Sequence, residues 1–170
     1  MKLKKNLVLV GMMGSGKSTI GRLLSKKLHF KFYDIDKIIE NNQKMKIKEI
    51  FKKKGETYFR NLEEEITINI LKIDNSVISL GGGGFLNEKI RKKILVKSIA
   101  FWLNWNPYTL INRIKKNNKR PISNLLNNDE LENLILKRSK IYSKANHKIN
   151  CEKLSELNIV KKIIDIYETS

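Results

Sequence analysis

Several things are scarce in this 170-residue chain, and each scarcity excludes something. Cys151 is the one cysteine, so no disulfide forms within the chain, and a reducing compartment, the cytoplasm, is expected. His29 and His147 are the two histidines; they lie far apart, and with one thiol they do not complete a zinc site. The longest apolar runs, such as residues 7–10, cover four to five residues, far short of the ~20 that cross a bilayer, so no membrane role is expected. The basic start at residues 1–5 has a faint look of a signal peptide. Gly11 and Gly14 interrupt the apolar stretch that follows, no small-residue cleavage site comes after it, and a first strand accounts for it better.

Acidic residues and arginines are also few. The 17 Asp and Glu face 35 Lys and Arg, a net charge of +18, and only 6 of those 35 are Arg. Such a charge suits a nucleic-acid or anionic-membrane surface. Compositional drift competes with that reading: 29 Lys, 24 Ile and 19 Asn are the residues of A/T-rich codons. The lysines are dispersed and lack the aromatic interleaving that base stacking needs, so specific nucleic-acid binding is not expected. In a chain that favours lysine, each arginine marks a place where lysine would fail. The planar fork of Arg is hard to replace where a carboxylate or phosphate must be gripped. Arg60, Arg113, Arg120 and Arg138 are the candidates, whereas Arg22 and Arg91 are expected to be surface or packing residues.

What is present is an alternation of strands and helices. Residues 7–10, 30–33, 77–80, 99–103 and 148–151 read as strands. Helical spacing runs over 18–28, from 35 to about 54 with a break near 43–46 and a stop at Gly55, then over 57–72, 87–96, 107–116, 129–144 and 155–167. Residues 117–128 are polar, contain Pro121 and read as a loop. The alternation predicts an α/β fold, a parallel sheet with helices on both faces, in a single domain spanning 1–170.

The first strand-to-helix junction reads Gly11-Met12-Met13-Gly14-Ser15-Gly16-Lys17-Ser18, which matches the phosphate-binding P-loop pattern in its required context. Glycines let successive backbone N–H groups converge on phosphate oxygens, and the helix N-terminus adds its positive dipole end. Lys17 reaches the β- and γ-phosphates, and the Ser18 hydroxyl binds Mg²⁺.

Three further features bear on the acceptor. Asp34-Ile35-Asp36 ends the second predicted strand, where ligands of parallel sheets bind. If the chain is still extended there, the i, i+2 spacing brings two carboxylates to one site: one for water on Mg²⁺, one for a substrate hydroxyl. A helix cap is the ordinary alternative for Asp34. No Walker-B Asp follows the third strand, which makes Asp34 the candidate for the metal's outer shell. Second, Arg60 and Glu63 stand at i, i+3 on a predicted helix, so the carboxylate can orient the guanidinium; an ordinary surface ion pair is the bland alternative. Third, four of the nine glycines stand in one row, Gly81–Gly84, directly after a buried strand. That placement fits a close approach of backbone to ligand.

These motifs, in this order, resemble the shikimate kinase family. The likeness covers nearly the whole chain: the P-loop, the Asp34/Asp36 pair, Gly55-Glu56 with Phe59-Arg60 and Glu63, Gly81–Gly83, Arg120-Pro121, and Arg138 with Tyr142. It implies a nucleoside-monophosphate-kinase-like P-loop fold with a five-stranded parallel sheet and a mobile lid at about 117–128. It also implies transfer of the ATP γ-phosphoryl group to the 3-hydroxyl of shikimate by a monomer with one Mg²⁺. By matching position, Asp36, Arg60, Gly82 and Arg138 would bind shikimate. Gly14, Ser15, Gly16, Lys17, Ser18, Thr19 and Arg120 would bind ATP, with Arg113 beside the adenine. Lys17, Asp36 and Arg120 would be catalytic, Ser18 would bind Mg²⁺, and Asp34 would sit in its outer shell. The chain departs from the family at residues 151–157, where no adenine contact is assigned, and after Pro121, where the usual leucines are missing. Gluconate or a nucleoside monophosphate remains the alternative acceptor, and a basic nucleic-acid-binding P-loop protein the alternative from another class.

Overall fold

The computed structural model describes residues 5–116 and 126–170. The predicted lid at about 117–128 therefore falls largely outside the described residues, and Arg120 and Pro121 with it. Five strands form one parallel sheet: β1 (Asn6–Val10), β2 (Lys31–Asp34), β3 (Ser76–Ser79), β4 (Ser98–Asn104) and β5 (His147–Asn150), in the order β2-β3-β1-β4-β5. The helices are α1 (Lys17–Leu28), α2 (Ile35–Gln43), α3 (Ile47–Ile70), α4 (Glu88–Lys97), α5 (Pro107–Lys116), α6 (Asn128–Tyr142) and α7 (Glu156–Glu168).

Every residue of β1 is buried, as a central strand covered on both faces requires. Val8 stands beside Ile78 of β3 on one side and Ala100 of β4 on the other. The strand's first residue is polar, and its groups are satisfied: the Asn6 side-chain amide donates to the Ile73 carbonyl at 2.7 Å, and its Oδ1 accepts from the Ser76 N–H at 3.0 Å.

Handedness assigns the helices to faces. From β1 the chain steps through α1 to β2, in one direction across the sheet. Every later crossover, β2 to β3, β3 to β4 and β4 to β5, steps the other way. Right-handed crossovers then put α1 on one face and α3, α4 and α6 on the other. Packing agrees, since α1 lies against α7 while α3 lies against α4. The chains leaving β1 and β3, two neighbouring strands, therefore turn to opposite faces. That divergence makes the topological switch point at which open α/β sheets hold ligands in a crevice, and Gly11–Ser18 and Gly81–Gly84 stand there at the strands' carboxyl ends.

Most element boundaries agree with the sequence expectation to within two residues. The long third helix is kinked where the sequence placed its stop: Gly55, with φ 82° and ψ 168°, has a conformation that side-chain-bearing residues rarely adopt. Asn128, counted in the predicted loop, is already the first residue of α6, which is capped by Asn127 and Glu130 in a reciprocal box. Among the described residues, no helix is long and apolar enough to cross a membrane.

Candidate active site

The phosphate loop is built by its own carbonyls. Lys17, which opens α1, is only 6% exposed, and its Nζ donates to the carbonyls of Gly11 (2.9 Å) and Met12 (2.8 Å). Its ammonium thus lies folded within the loop, not extended toward solvent. Gly16, at φ 89°, caps the helix in the left-handed region, while Gly14 and Thr19 lie on the exposed side. Ser15 is buried, and its carbonyl accepts from the Trp105 indole N–H at 3.0 Å.

Asp34 is the helix cap that the sequence offered as one alternative, and it is also bonded to the phosphate loop. Its Oδ2 accepts from the Ser18 hydroxyl at 2.5 Å, and its Oδ1 caps α2 by accepting from the Lys37 N–H at 3.3 Å. The two aspartates are not brought together by an extended chain, however. The strand ends at Asp34, and Asp36 already stands in the first turn of α2. Helical winding turns Asp36 away from the Ser18 side and toward Gly81. A Cβ built on Gly81 would lie 2.5 Å from Asp36 Oδ1 and 2.7 Å from Glu63 Oε1.

The glycine row is explained by space. None of the four has a positive φ. A Cβ on Gly83 would strike the Arg60 guanidinium at 2.4 Å, one on Gly84 would press Glu63 Oε1 at 3.3 Å, and one on Gly82 would press the Met13 N–H nitrogen at 3.3 Å with Arg138 Nη1 at 3.7 Å. The row is thus a bare floor against which Asp36, Arg60, Glu63 and Arg138 converge from α2, α3 and α6. Tyr142, one turn beyond Arg138 on α6, donates its hydroxyl to the Gly82 carbonyl and ties that helix to the floor.

Arg60 and Glu63 form no ordinary surface pair. Arg60 Nη1 donates to Glu63 Oε2 at 2.7 Å, and the glutamate is 1% exposed. Burial pushes the Glu63 carboxyl upward; Arg60 opposes this, the Asp36 charge adds to it, and the net direction is up. For Arg60, burial works downward, but the Glu63 charge and the hydrogen bonds that Arg60 donates to Glu63 and Glu56 outweigh it and hold the guanidinium firmly protonated. Two buried polar atoms here, Glu63 Oε1 and Arg138 Nε, have no hydrogen-bond partner among the described residues. Such orphans are costly unless a ligand or water reaches them.

The remaining arginines behave as two classes. Arg22 lies over the Phe32 ring and Arg91 donates to the carbonyls of Phe85 and Leu86, both packing roles as expected. Arg113 is exposed, with its guanidinium carbon 3.6 Å from the centroid of the Trp105 ring. At residues 151–157, Glu152 accepts from the Asn106 N–H and the Thr109 hydroxyl, a tie between the exit of β5 and the start of α5. Cys151 is buried, its thiol pushed up to about 12 by burial, so it is a packing residue with little nucleophilic character. Sequence reasoning missed Trp105, since nothing about its sequence neighbours Asn104 and Asn106 hints at its bond to Ser15.

With this geometry in place, comparison with known proteins decides the family. The model of the shikimate kinase family matches residues 13–168. The chain belongs to the shikimate kinase family. It is 41% identical over 160 residues to a shikimate kinase of Persephonella marina, covering 94% of this chain and 97% of that protein. A shikimate kinase of Acinetobacter baumannii, solved in complex with shikimate, superposes with TM-score 0.91 at 28% identity, covering 97% of this chain and 93% of that one. A gluconokinase of Sinorhizobium meliloti shares the fold alone, at TM-score 0.63 and 14% identity. The protein is accordingly a P-loop kinase with ATP as co-substrate, and it phosphorylates shikimate; the gluconate alternative is not favoured.

Proposed function

We propose that the crevice between the phosphate loop and the glycine floor is where the ATP γ-phosphoryl group passes to the 3-hydroxyl of shikimate. The carrying observation is the convergence of Asp36, Arg60, Glu63 and Arg138 on a row of four glycines, of which Gly82 lies against Met13 of the P-loop. In this reading Gly14–Thr19 hold the phosphates through backbone N–H groups, and Lys17 leaves its loop carbonyls to meet phosphate oxygens. Arg60 and Arg138 grip the acceptor carboxylate, and the Gly82 backbone lines its pocket. Asp36 accepts or orients the hydroxyl proton as oxygen attacks phosphorus. Arg113 lies beside the adenine, and Arg120, outside the described residues, neutralises charge on the transferring group.

The residues also fit one Mg²⁺. Ser18 and Asp34 supply a hydroxyl and a carboxylate 2.5 Å apart, hard oxygen donors at the mouth of the loop. No cluster of three or more His, Cys, Asp or Glu that could cage a metal exists among the described residues. That suits an ion held by one or two protein oxygens and otherwise by substrate phosphates. When bound, the ion supplies charge neutralisation on the phosphates. Ser18 would hold it directly and Asp34 through water.

The same reading takes residues 1–170 as one kinase domain with its lid at about 117–128, acting as a cytoplasmic monomer. Its dispersed charge gives only weak, non-specific nucleic-acid binding that collapses as salt rises. The test is an ADP-release assay with shikimate, gluconate and AMP as acceptors, run beside a binding assay on DNA and RNA. ADP release with shikimate alone is the expected result. Release with gluconate, or tight sequence-selective nucleic-acid binding at physiological salt, would overturn it.

A further inference from the structure

An anion cradle made of backbone has a problem of orientation. Each peptide carries an acceptor and a donor pointing in opposite directions, because the trans peptide is planar. If a loop carbonyl turns inward, its lone pairs face the phosphate and the next residue's N–H is lost to the cradle. The carbonyls around this loop are therefore informative. The Gly11 and Met12 carbonyls accept from Lys17 Nζ, and the Gly16 carbonyl accepts from the Ile20 N–H in the first turn of α1. These partners belong to the loop or its own helix. The Ser15 carbonyl differs: it is held by the indole N–H of Trp105, 90 residues away, at the exit of β4. That indole is itself fixed, being 8% exposed and covered on one face by the Arg113 guanidinium at 3.6 Å. The Arg113 Cβ in turn would lie 3.6 Å from a Cβ on Gly14.

We propose that Trp105 is a positioning residue for the phosphate loop: by holding the Ser15 carbonyl, it turns the Gly16 N–H toward the bound phosphates. The inference rests on the reading of Gly11–Ser18 as the ATP site and deepens it. The peptide between Ser15 and Gly16 is vulnerable because Gly16, at φ 89°, has no side chain to hinder rotation. With the indole N–H removed, the carbonyl becomes a buried acceptor without its partner. The peptide then gains by turning toward the crevice, where water is available, and the cradle loses a donor. Trp105 thus acts on phosphates through Ser15 and Gly16, and touches no substrate itself.

The test uses the whole protein and three ligands, each with Mg²⁺: inorganic tripolyphosphate, ATP, and shikimate without nucleotide. Affinities are measured by calorimetry for the wild type, for Trp105→Phe, and for a variant carrying β-(3-benzothienyl)alanine at 105. The last keeps the shape of the indole and replaces its N–H by sulfur, so it decides the matter if Trp105→Phe does not fold. The expected result is an equal loss for tripolyphosphate and ATP, about tenfold, on the loss of a buried hydrogen bond to the loop, with shikimate affinity within about twofold. Unchanged tripolyphosphate affinity would overturn the proposal. A loss for ATP alone would also overturn it, placing Trp105 on the side of the base through Arg113. An equal loss for all three ligands would reduce it to general support of the fold. A wild type that binds neither tripolyphosphate nor ATP would remove the phosphate-loop reading itself, whereas wild-type binding with unchanged variants would remove only the role of Trp105.

Discussion

The two walls of the crevice are made in different ways. In the proposed reading, the nucleotide wall is one stretch of eight residues that would bind mostly through backbone groups, wrapped at the start of a single helix. The acceptor wall has no such stretch. Its groups are side chains from α2, α3 and α6, with a floor from the exit of β3, gathered from positions as far apart as Asp36 and Arg138. Backbone N–H groups recognise any polyphosphate, so a local, generic device serves there. A particular acceptor carboxylate and hydroxyl need fixed charges at fixed separations, and only side chains held by tertiary packing supply them. On that reading the acceptor wall is expected to be the more specific and the more easily disturbed from a distance.

The largest effect expected on either wall is that of Lys17→Ala, which should cut turnover by at least about 10³-fold while the fold persists, as loss of a charge placed against the transferring group does. Single-turnover kinetics on a folded mutant checks it; near-normal turnover would remove Lys17 from the chemistry. Next comes a test of whether the glycines are a floor for side chains. Gly83→Ala puts a methyl group into the Arg60 guanidinium, the movable end of a flexible chain, so the fold should tolerate it. Shikimate affinity should fall by roughly 10- to 150-fold, the worth of a charged hydrogen bond, with ATP affinity unchanged. If calorimetry shows ATP affinity falling instead, the glycine row serves the nucleotide wall.

A smaller change separates charge from shape. Arg60→Lys and Arg138→Lys keep the positive charge and lose the planar fork, and each should weaken shikimate binding about tenfold or more. Equal affinities for mutant and wild type would return both arginines to the packing class of Arg22 and Arg91.

The smallest effect is one of pH. The Glu63 carboxyl is raised in the folded protein by burial, so the native state holds its proton to higher pH than the unfolded chain. Its contribution to stability is then fully present below the unfolded pKa and is lost as pH rises through the raised folded value. Relative to Glu63→Gln, wild-type stability should decline from about pH 4.5, the ordinary glutamate range, toward neutrality. Shikimate affinity should move the other way, improving as Glu63 ionises and holds Arg60. Urea unfolding and shikimate binding at several pH values check both slopes, and parallel slopes would break the assignment.

Most of the fold was legible because its signals are local. Apolar runs and helical spacing set the elements, Gly55 marked the kink in α3, and the glycine-lysine pattern marked the phosphate loop. The pairing of Arg60 with Glu63 was legible too, since three residues along a helix is a fixed geometry. The i, i+2 spacing would set Asp36 beside Asp34 only on an extended chain; helix α2 begins at Ile35, as its spacing indicated, and turns Asp36 to Gly81. The glycine row was assigned to a ligand's approach; the sequence did not show that Asp36, Arg60 and Glu63 also stand over Gly81, Gly83 and Gly84.

By itself the sequence determined the parallel α/β architecture, the P-loop, the helical pair Arg60 and Glu63, and the membership of a kinase family, because each depends on residues close together or on a pattern that survives any arrangement of the rest. The tertiary structure alone decided that β1 and β3 send their chains to opposite faces and so make the topological switch point. It also decided that Tyr142 holds the Gly82 carbonyl and that Trp105 holds that of Ser15. Those bonds join residues 60 and 90 positions apart. No local spacing encodes them, because a buried donor finds its acceptor only after the sheet has fixed which loops lie side by side.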